Sequence, residues 1–218
     1  MHEWTSLYES KSGERGIFNR VASRRKVESL NNTYHWNGKT DSGSNHRRDP
    51  NHEFGTNPCS AIILRPQQFC NLSECIVREH DTEDTLKRKI ELCTMIGTFQ
   101  STLTKFPYLR KIWTKNTEEE RLLGVSMTGI MDNKLTSTNG KDLEVLLQKL
   151  RLASVECNKQ LGEEIGIPQS AATCCVKPSG TVSQLVDSAS GIHHRHSPYY
   201  IRRVRGDIKD PLTQFMIS

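Results

Sequence analysis

Aromatic and apolar residues are scarce in this chain. Phe, Trp and Tyr supply 6% of its 218 residues, the hydrophobic set supplies 34%, and mean hydropathy is −0.62. That is lean for a self-sufficient domain and points to segments that are loose or want a partner. No apolar run approaches the roughly 20 residues that cross a bilayer. Met1-His2-Glu3-Trp4 lacks the basic cap and apolar stretch of a secretory leader. Seven cysteines, an odd number, without such a leader predict a reducing cytoplasm rather than a disulfide scaffold. Paired metal-ligand spacing is missing too. His193, His194 and His196 follow Cys174-Cys175 without the intervals of a zinc site, so no metal is expected. The charge excess of +5 forms no long basic stripe, which suits anionic small molecules such as nucleotides better than a specific nucleic-acid target. No internal repeat is present.

What is there alternates between helical and extended patterns, which predicts an α/β architecture. Ser12 stands as an N-cap before a helix that would place Ile17, Val21 and Leu30 near one face. Asn31 to Asn51 is rich in Asn, Gly, Ser, His and Arg and reads as a polar surface loop or insertion. Residues 1–53 are therefore set apart from 54–218. Phe54 to Phe69, apolar but interrupted by Pro58 and Pro66, reads as a buried loop, and Leu72 to Val77 as a strand. Thr82 caps a helix running to about Lys105, with Leu86, Ile90, Cys93 and Gly97 at helical spacing. Pro107 restarts the chain into a short helix reaching Trp113, and Glu118 to Leu123 forms another. Gly124 to Gly129 reads as a strand. Asn139 caps a long helix that turns Leu143, Leu146, Leu147, Leu150 and Val155 to the core, and Ala172 to Val176 is the last strand.

Sulfur carries the chemistry. Asn57-Pro58-Cys59-Ser60 places a thiol on a loop that proline stiffens at two positions. The Asn57 amide can hydrogen-bond a substrate hydroxyl. Cys70 follows eleven positions later. Cys75 is five residues further along a strand, about 16 Å from Cys70, beyond disulfide reach. Cys93, Cys157, Cys174 and Cys175 read as structural side chains. Lys177-Pro178-Ser179-Gly180-Thr181-Val182-Ser183-Gln184 follows a strand and precedes a helical stretch. Taken alone it is either a simple capped turn or a phosphate-binding turn.

The longer string Gly55 to Pro66, continued by Phe69-Cys70-Asn71-Leu72-Ser73-Glu74, resembles the finger loop and following strand of the adenosylcobalamin-dependent (class II) ribonucleotide reductases. Lys11 to Gly16, Gln100-Ser101-Thr102-Leu103, Glu120 to Val125, Lys177 to Ser183 and Gly191 to Arg205 extend the resemblance. A proline usually stands where this chain has His194. The resemblance implies part of a ten-stranded α/β barrel with the finger loop at its centre. It implies radical reduction of ribonucleotides, triphosphates by subfamily, to 2′-deoxyribonucleotides, with adenosylcobalamin as cofactor and a thioredoxin-like dithiol as reductant. Cys59 becomes the thiyl residue that removes the 3′ hydrogen. Cys70 becomes one of two cysteines that reduce the 2′ carbon and end as a disulfide; its partner lies on an early strand in the family, and no cysteine precedes Cys59 here. Pro178, Ser179, Gly180, Thr181, Val182 and Ser183 become the substrate-phosphate site.

One position departs from the pattern. The family carries a glutamate two residues after the thiyl cysteine, as the base on the 3′ hydroxyl, and this chain has Ala61. The expectation is a reductase segment that wants the missing remainder of the reductase chain and is inactive alone. The alternatives are a degenerate or split fragment without its own catalysis, and a nucleotide-phosphate binding module without chemistry.

Overall fold

The computed structural model describes residues 2–11, 16–31, 48–201 and 203–218. Its centre is a parallel strand pair. Strand β3 (Asn71–Ile76) runs beside β4 (Leu123–Thr128), from Asn71 opposite Leu123 to Ile76 opposite Thr128. Parallel strands need a crossover of a dozen residues or more. Helices α3 (Glu83–Gln100) and α4 (Lys111–Glu120) occupy that connection. Helix α5 (Lys141–Ile165) then returns the chain to the far edge of β4. There the Leu123 and Val125 amides donate to the Ala172 and Thr173 carbonyls, and the Cys175 amide donates to Val125 O. The expected strand at Ala172 to Val176 is thus a bridged extended run, with Cys174 paired to Val125.

Alternation along β3 divides its side chains between two faces. Cys75 and Val77 join Leu86, Ile90, Leu123, Val125, Leu146 and Leu150 in the core under α3 and α5. The two helices meet through small polar residues: Thr94 Oγ1 donates to Ser154 Oγ and Asn158 Nδ2 to Thr98 Oγ1, each at 2.9 Å. Every one of these groups is buried and partnered, which removes the cost of placing them there. Thr82 caps α3 as expected. Its hydroxyl accepts from the Thr85 amide while Thr85 Oγ1 accepts from the Thr82 amide. The helix stops at Gln100, short of Lys105: past Ser101 the Thr102 and Leu103 amides donate three residues back, to Phe99 O and Gln100 O, instead of four.

Other expectations change. The two short helices predicted at 107–113 and 118–123 are one helix, α4, closed by Arg121 in the left-handed conformation (φ 42°). Gly140 (φ 93°), not Asn139, stands at the start of α5. Along α5, Leu146 and Leu150 are buried but Leu147 is exposed. The Ser12 cap lies outside the described residues. Helix α2 (Arg20–Asn31) begins instead after Asn19, whose side chain accepts from the Ala22 amide. It buries Ser23 and Val27, while Ile17 and Val21 are exposed. A further helix, α1 (His2–Ser10), buries none of its residues. Most of the polar stretch 31–51 lies outside the described residues.

Phe54 to Phe69 is a hairpin rather than a buried loop. Strands β1 (Gly55–Thr56) and β2 (Ile63–Leu64) pair antiparallel. Phe54, Ile62, Arg65 and Gln68 carry the burial, and the tip is exposed. The reason is local. Asn57, Pro58 and Ser60 form a turn that satisfies its own polar groups, so it has no need of a cover. Mixed α/β architecture therefore holds, with two two-stranded sheets among the described residues. Helices α6 (Val182–Leu185) and α7 (Pro211–Ile217) complete the set. Among the described residues no helix is long and apolar enough to cross a membrane.

Candidate active site

The face of β3 opposite the helices looks onto the hairpin. Leu72 sits there, and so does the bare backbone of Gly124 beside it. A Cβ at position 124 would lie 2.5 Å from Leu72 Cδ2, 2.8 Å from Ile62 Cδ1 and 3.3 Å from Cys175 Sγ. Glycine at 124 is what lets the hairpin, β3 and the segment 172–175 converge at one point. In the sequence Gly124 marks only the start of a strand.

At the hairpin tip the Asn57 amide nitrogen donates to Ile62 O at 3.3 Å, and Asn57 Oδ1 accepts from the Ile62 amide at 3.1 Å. Asn57 O accepts from the Ser60 amide at 2.9 Å, with Ser60 left-handed at φ 58°. Asn57 Nδ2 donates to Cys59 Sγ at 3.2 Å. The expected Asn57 and Cys59 thus touch one another, and the Cys59 thiol is exposed. Ala61 is half-buried behind it and offers no titratable group.

Cys70 lies where β3 begins. Burial first, then the neighbouring Cys59, push its thiol up, and Lys177 works the other way. Cys175, taken as structural from sequence, belongs to the same group. Burial, then Cys174, Cys70 and Cys59, push it up to about 12, against the pull of Lys177. Cys59, Cys70, Cys175 and Lys177 therefore share one neighbourhood. The signal for Cys175 was its place two residues before Lys177, at the end of a strand whose side chains alternate. Cys75 faces the other way, into the helices, where a hydrogen bond with Cys93 and burial raise it.

Past Lys177 the chain makes the expected small-residue turn. Ser179 is left-handed (φ 53°) and 4% exposed, and its hydroxyl has no hydrogen-bond partner. Gly180, Thr181 and Val182 are exposed, Pro178 is half-buried, and Ser183 is fully buried at the start of the single turn α6. A buried hydroxyl without a partner costs about 1–3 kcal/mol. Asp132 and Arg195 brace the turn from behind. Asp132 Oδ2 accepts from the Ala189 amide at 2.7 Å, and Arg195 bonds Asp132 at 3.2 Å and Asp187 at 2.8 Å. The Arg195 guanidinium holds the Asp187 carboxyl below the usual carboxylate range. Gly191 donates its amide to Pro178 O at 2.9 Å, and a Cβ there would run into Lys177 O. A cavity of about 590 Å³ opens beside this turn, lined by Gly180, Ser183, Ser188, Arg195, His196 and Tyr200 among others. Among the described residues no group of His, Cys, Asp and Glu side chains could hold a metal ion.

Sequence reasoning also missed the anchor of the hairpin. Glu120, at the end of α4, is fully buried between Arg48 at 3.0 Å and Arg65 at 3.2 Å, and accepts from Gln68 Nε2 at 2.8 Å. Arg65 also reaches Glu119 at 2.8 Å and Asn116 O at 3.0 Å, and Arg48 donates to Ile63 O in β2. Single charges scattered over positions 48, 65 and 120 carry no sequence signature of such a cluster.

No family model matches the chain. Curated homologues do. The adenosylcobalamin-dependent ribonucleoside-triphosphate reductase of Lactobacillus acidophilus is 29% identical over 182 residues, covering 72% of this chain and 24% of its own length. The enzyme of the same name from Euglena gracilis is 29% identical over 168 residues, covering 76% of this chain and 22% of its own. A crystal structure of a B12-dependent (class II) ribonucleotide reductase superposes with a TM-score of 0.53 at 25% identity, over 64% of this chain and 22% of that one. The chain spans about a quarter of the length of the curated relatives it matches.

Proposed function

We propose that this chain supplies the thiol and phosphate-binding part of a ribonucleoside-triphosphate reductase, a cytoplasmic enzyme that makes 2′-deoxyribonucleotides. The observation that carries the reading is the convergence at Gly124 of Ile62 from the hairpin, Leu72 from β3 and Cys175 Sγ, two residues before Lys177 and the turn it opens. Residues 54–218 are on this reading part of a ten-stranded α/β barrel around the hairpin, and residues 1–53 a preceding helix and polar insertion. The relatives are named adenosylcobalamin-dependent. The exposed thiol at the hairpin tip fits that cofactor, because a bulky group can approach Cys59 from the open side. When bound, adenosylcobalamin supplies the radical chemistry that a thiol lacks.

The chain's own residues do the rest. Asn57 holds the Cys59 thiol by its side-chain amide. Cys59, once converted to a thiyl radical, would take the 3′ hydrogen atom of the ribose and return it at the end of the reaction. Cys70 stays protonated at neutral pH, being raised by burial and Cys59, and would supply one of the two thiol hydrogens. A second cysteine, from the remainder of the reductase chain, supplies the other, so that the 2′ hydroxyl leaves as water and the two sulfurs close to a disulfide that the dithiol partner reduces. Pro178 to Ser183 hold the phosphates, with the partnerless Ser179 hydroxyl as one donor. Ala61 cannot take the 3′ hydroxyl proton, and the second reducing cysteine lies in the remainder of the reductase chain, so this chain is inactive alone. A thioredoxin-like dithiol and the remainder of a reductase chain are the partners this reading requires.

Hydrogen exchange on the whole chain tests it. A ribonucleoside triphosphate is expected to protect the amides of 179–183 and to slow exchange around Cys59. Protection at 179–183 alone supports the narrower reading, a phosphate-binding module without chemistry. Exchange unchanged at saturating nucleotide contradicts both.

A further inference from the structure

Glu74 lies on the hairpin-facing side of β3. Strand alternation puts it on the face of Cys70 and Leu72, opposite to Ser73 and Cys75. The contacts agree. Leu72 reaches over Gly124 toward Ile62, whereas Ser73 Oγ and Leu123 pack at Gly97 of α3. In the ladder Glu74 pairs with Ser126 of β4. Cys175, whose amide donates to Val125 O, continues the same row on the far side of β4. The row Glu74, Ser126, Cys175 therefore crosses the sheet one step beyond the convergence at Gly124. It lies toward the strand ends from which Lys177 and the phosphate-binding turn emerge.

The Glu74 carboxylate is incompletely satisfied. Its Oε1 is enclosed and has no hydrogen-bond partner. Ser126 is 2% exposed and has only a long contact, 3.4 Å, from its hydroxyl to Ser73 O. A carboxylate oxygen enclosed without a donor costs more than a neutral group in the same place. It points to a donor that is not part of the chain. On the functional reading above, a nucleotide lies between the turn at 178–183 and Cys59, on the side of the sheet that this row lines, and a ribose offers hydroxyl donors there.

We infer that Glu74 is a substrate-binding residue that accepts a hydrogen bond from a ribose hydroxyl and so makes the site selective for ribonucleotides. The assignment rests on the functional reading above. It differs from the role missing at Ala61: Glu74 fixes the sugar and removes no proton from the 3′ hydroxyl.

Equilibrium binding to the whole chain separates the two ideas. The probes are a ribonucleoside triphosphate and its 2′-deoxy and 3′-deoxy analogues. The unaltered chain is expected to prefer the ribonucleotide over one of the analogues by about tenfold or more, the range of a hydrogen bond to a charged acceptor. In Glu74→Ala the preference falls to about one, while affinity for the disfavoured analogue stays the same. That constancy is a readout that mere loss of structure would not give. Glu74→Gln, which keeps the shape and one acceptor oxygen, retains part of the preference. If the ribonucleotide preference survives intact in both variants, the assignment of Glu74 is wrong and the functional reading stands. If the unaltered chain binds none of the three nucleotides, both are wrong.

Discussion

Transplanted into an adenosylcobalamin-dependent reductase in place of its own finger loop, Asn57–Ile62 lowers turnover by about 10²–10⁴-fold, the usual contribution of a positioned general base. The loop brings every element of the tip that the structure shows to be satisfied: Asn57 bonded to Ile62, Asn57 Nδ2 on Cys59 Sγ, and the left-handed Ser60. It does not bring a proton acceptor, because position 61 is alanine. Ala61→Glu in the grafted loop is therefore expected to restore most of the rate. Substrate affinity changes little in either graft, since the phosphate-binding turn is untouched. Steady-state kinetics of the two grafted enzymes check this. Full turnover by the alanine-bearing graft contradicts the role given to position 61.

The largest effect on stability is expected at Glu120. Its carboxylate is fully enclosed between Arg48 and Arg65, which are themselves 3% and 8% exposed. Burial already works against the Arg48 guanidinium, and Glu120 is the group that opposes this. Glu120→Ala removes the carboxylate that Arg48 and Arg65 share, leaves Arg65 with Glu119 as its carboxylate contact, and takes one acceptor from Gln68 Nε2. Breaking a buried pair this way costs about 3–5 kcal/mol. A folded domain has about 5–15 kcal/mol in total, so the loss is a large share of the whole. Urea denaturation gives the number. The damage is also expected to reach the site, because Arg48 and Arg65 tie the base of the hairpin to the end of α4. A loss below about 1 kcal/mol, the value of an exposed pair, would show that the cluster is not what holds the hairpin.

The two effects differ in how far they could be seen from the sequence. The alanine is visible at once, since the motif around it fixes the register to the residue. The ion cluster is not. It joins residues brought together by the crossover between two parallel strands, and nothing in the spacing of Arg48, Arg65 and Glu120 announces it. The same division runs through the fold. Thr82 and Thr85 announce α3 because a capping box is local chemistry. Strands β3 and β4 fall within a residue or two of their expected places, because the turns and glycines that bound them are local as well. Helix α4 was split because its end is an arginine in the left-handed conformation, where glycine is the usual sign. The exposed hairpin was taken for a buried loop because Ile62-Ile63-Leu64 suggested burial of the whole segment, whereas the polar tip closes on itself. Cys175 carries no such sign, because its meaning comes from Gly124, separated from it by the whole of α5 in sequence but adjacent in space.

The central claim is that the Cys59 sulfur faces the sugar of a nucleotide held by the turn at 178–183. The most direct measurement uses a ribonucleoside triphosphate carrying a haloacetyl group at the ribose 3′ position, incubated with the whole chain and followed by peptide mass mapping. The account predicts alkylation concentrated at Cys59 and suppressed by excess unmodified nucleotide. Label spread equally onto the exposed Cys174, and indifferent to competing nucleotide, would contradict it.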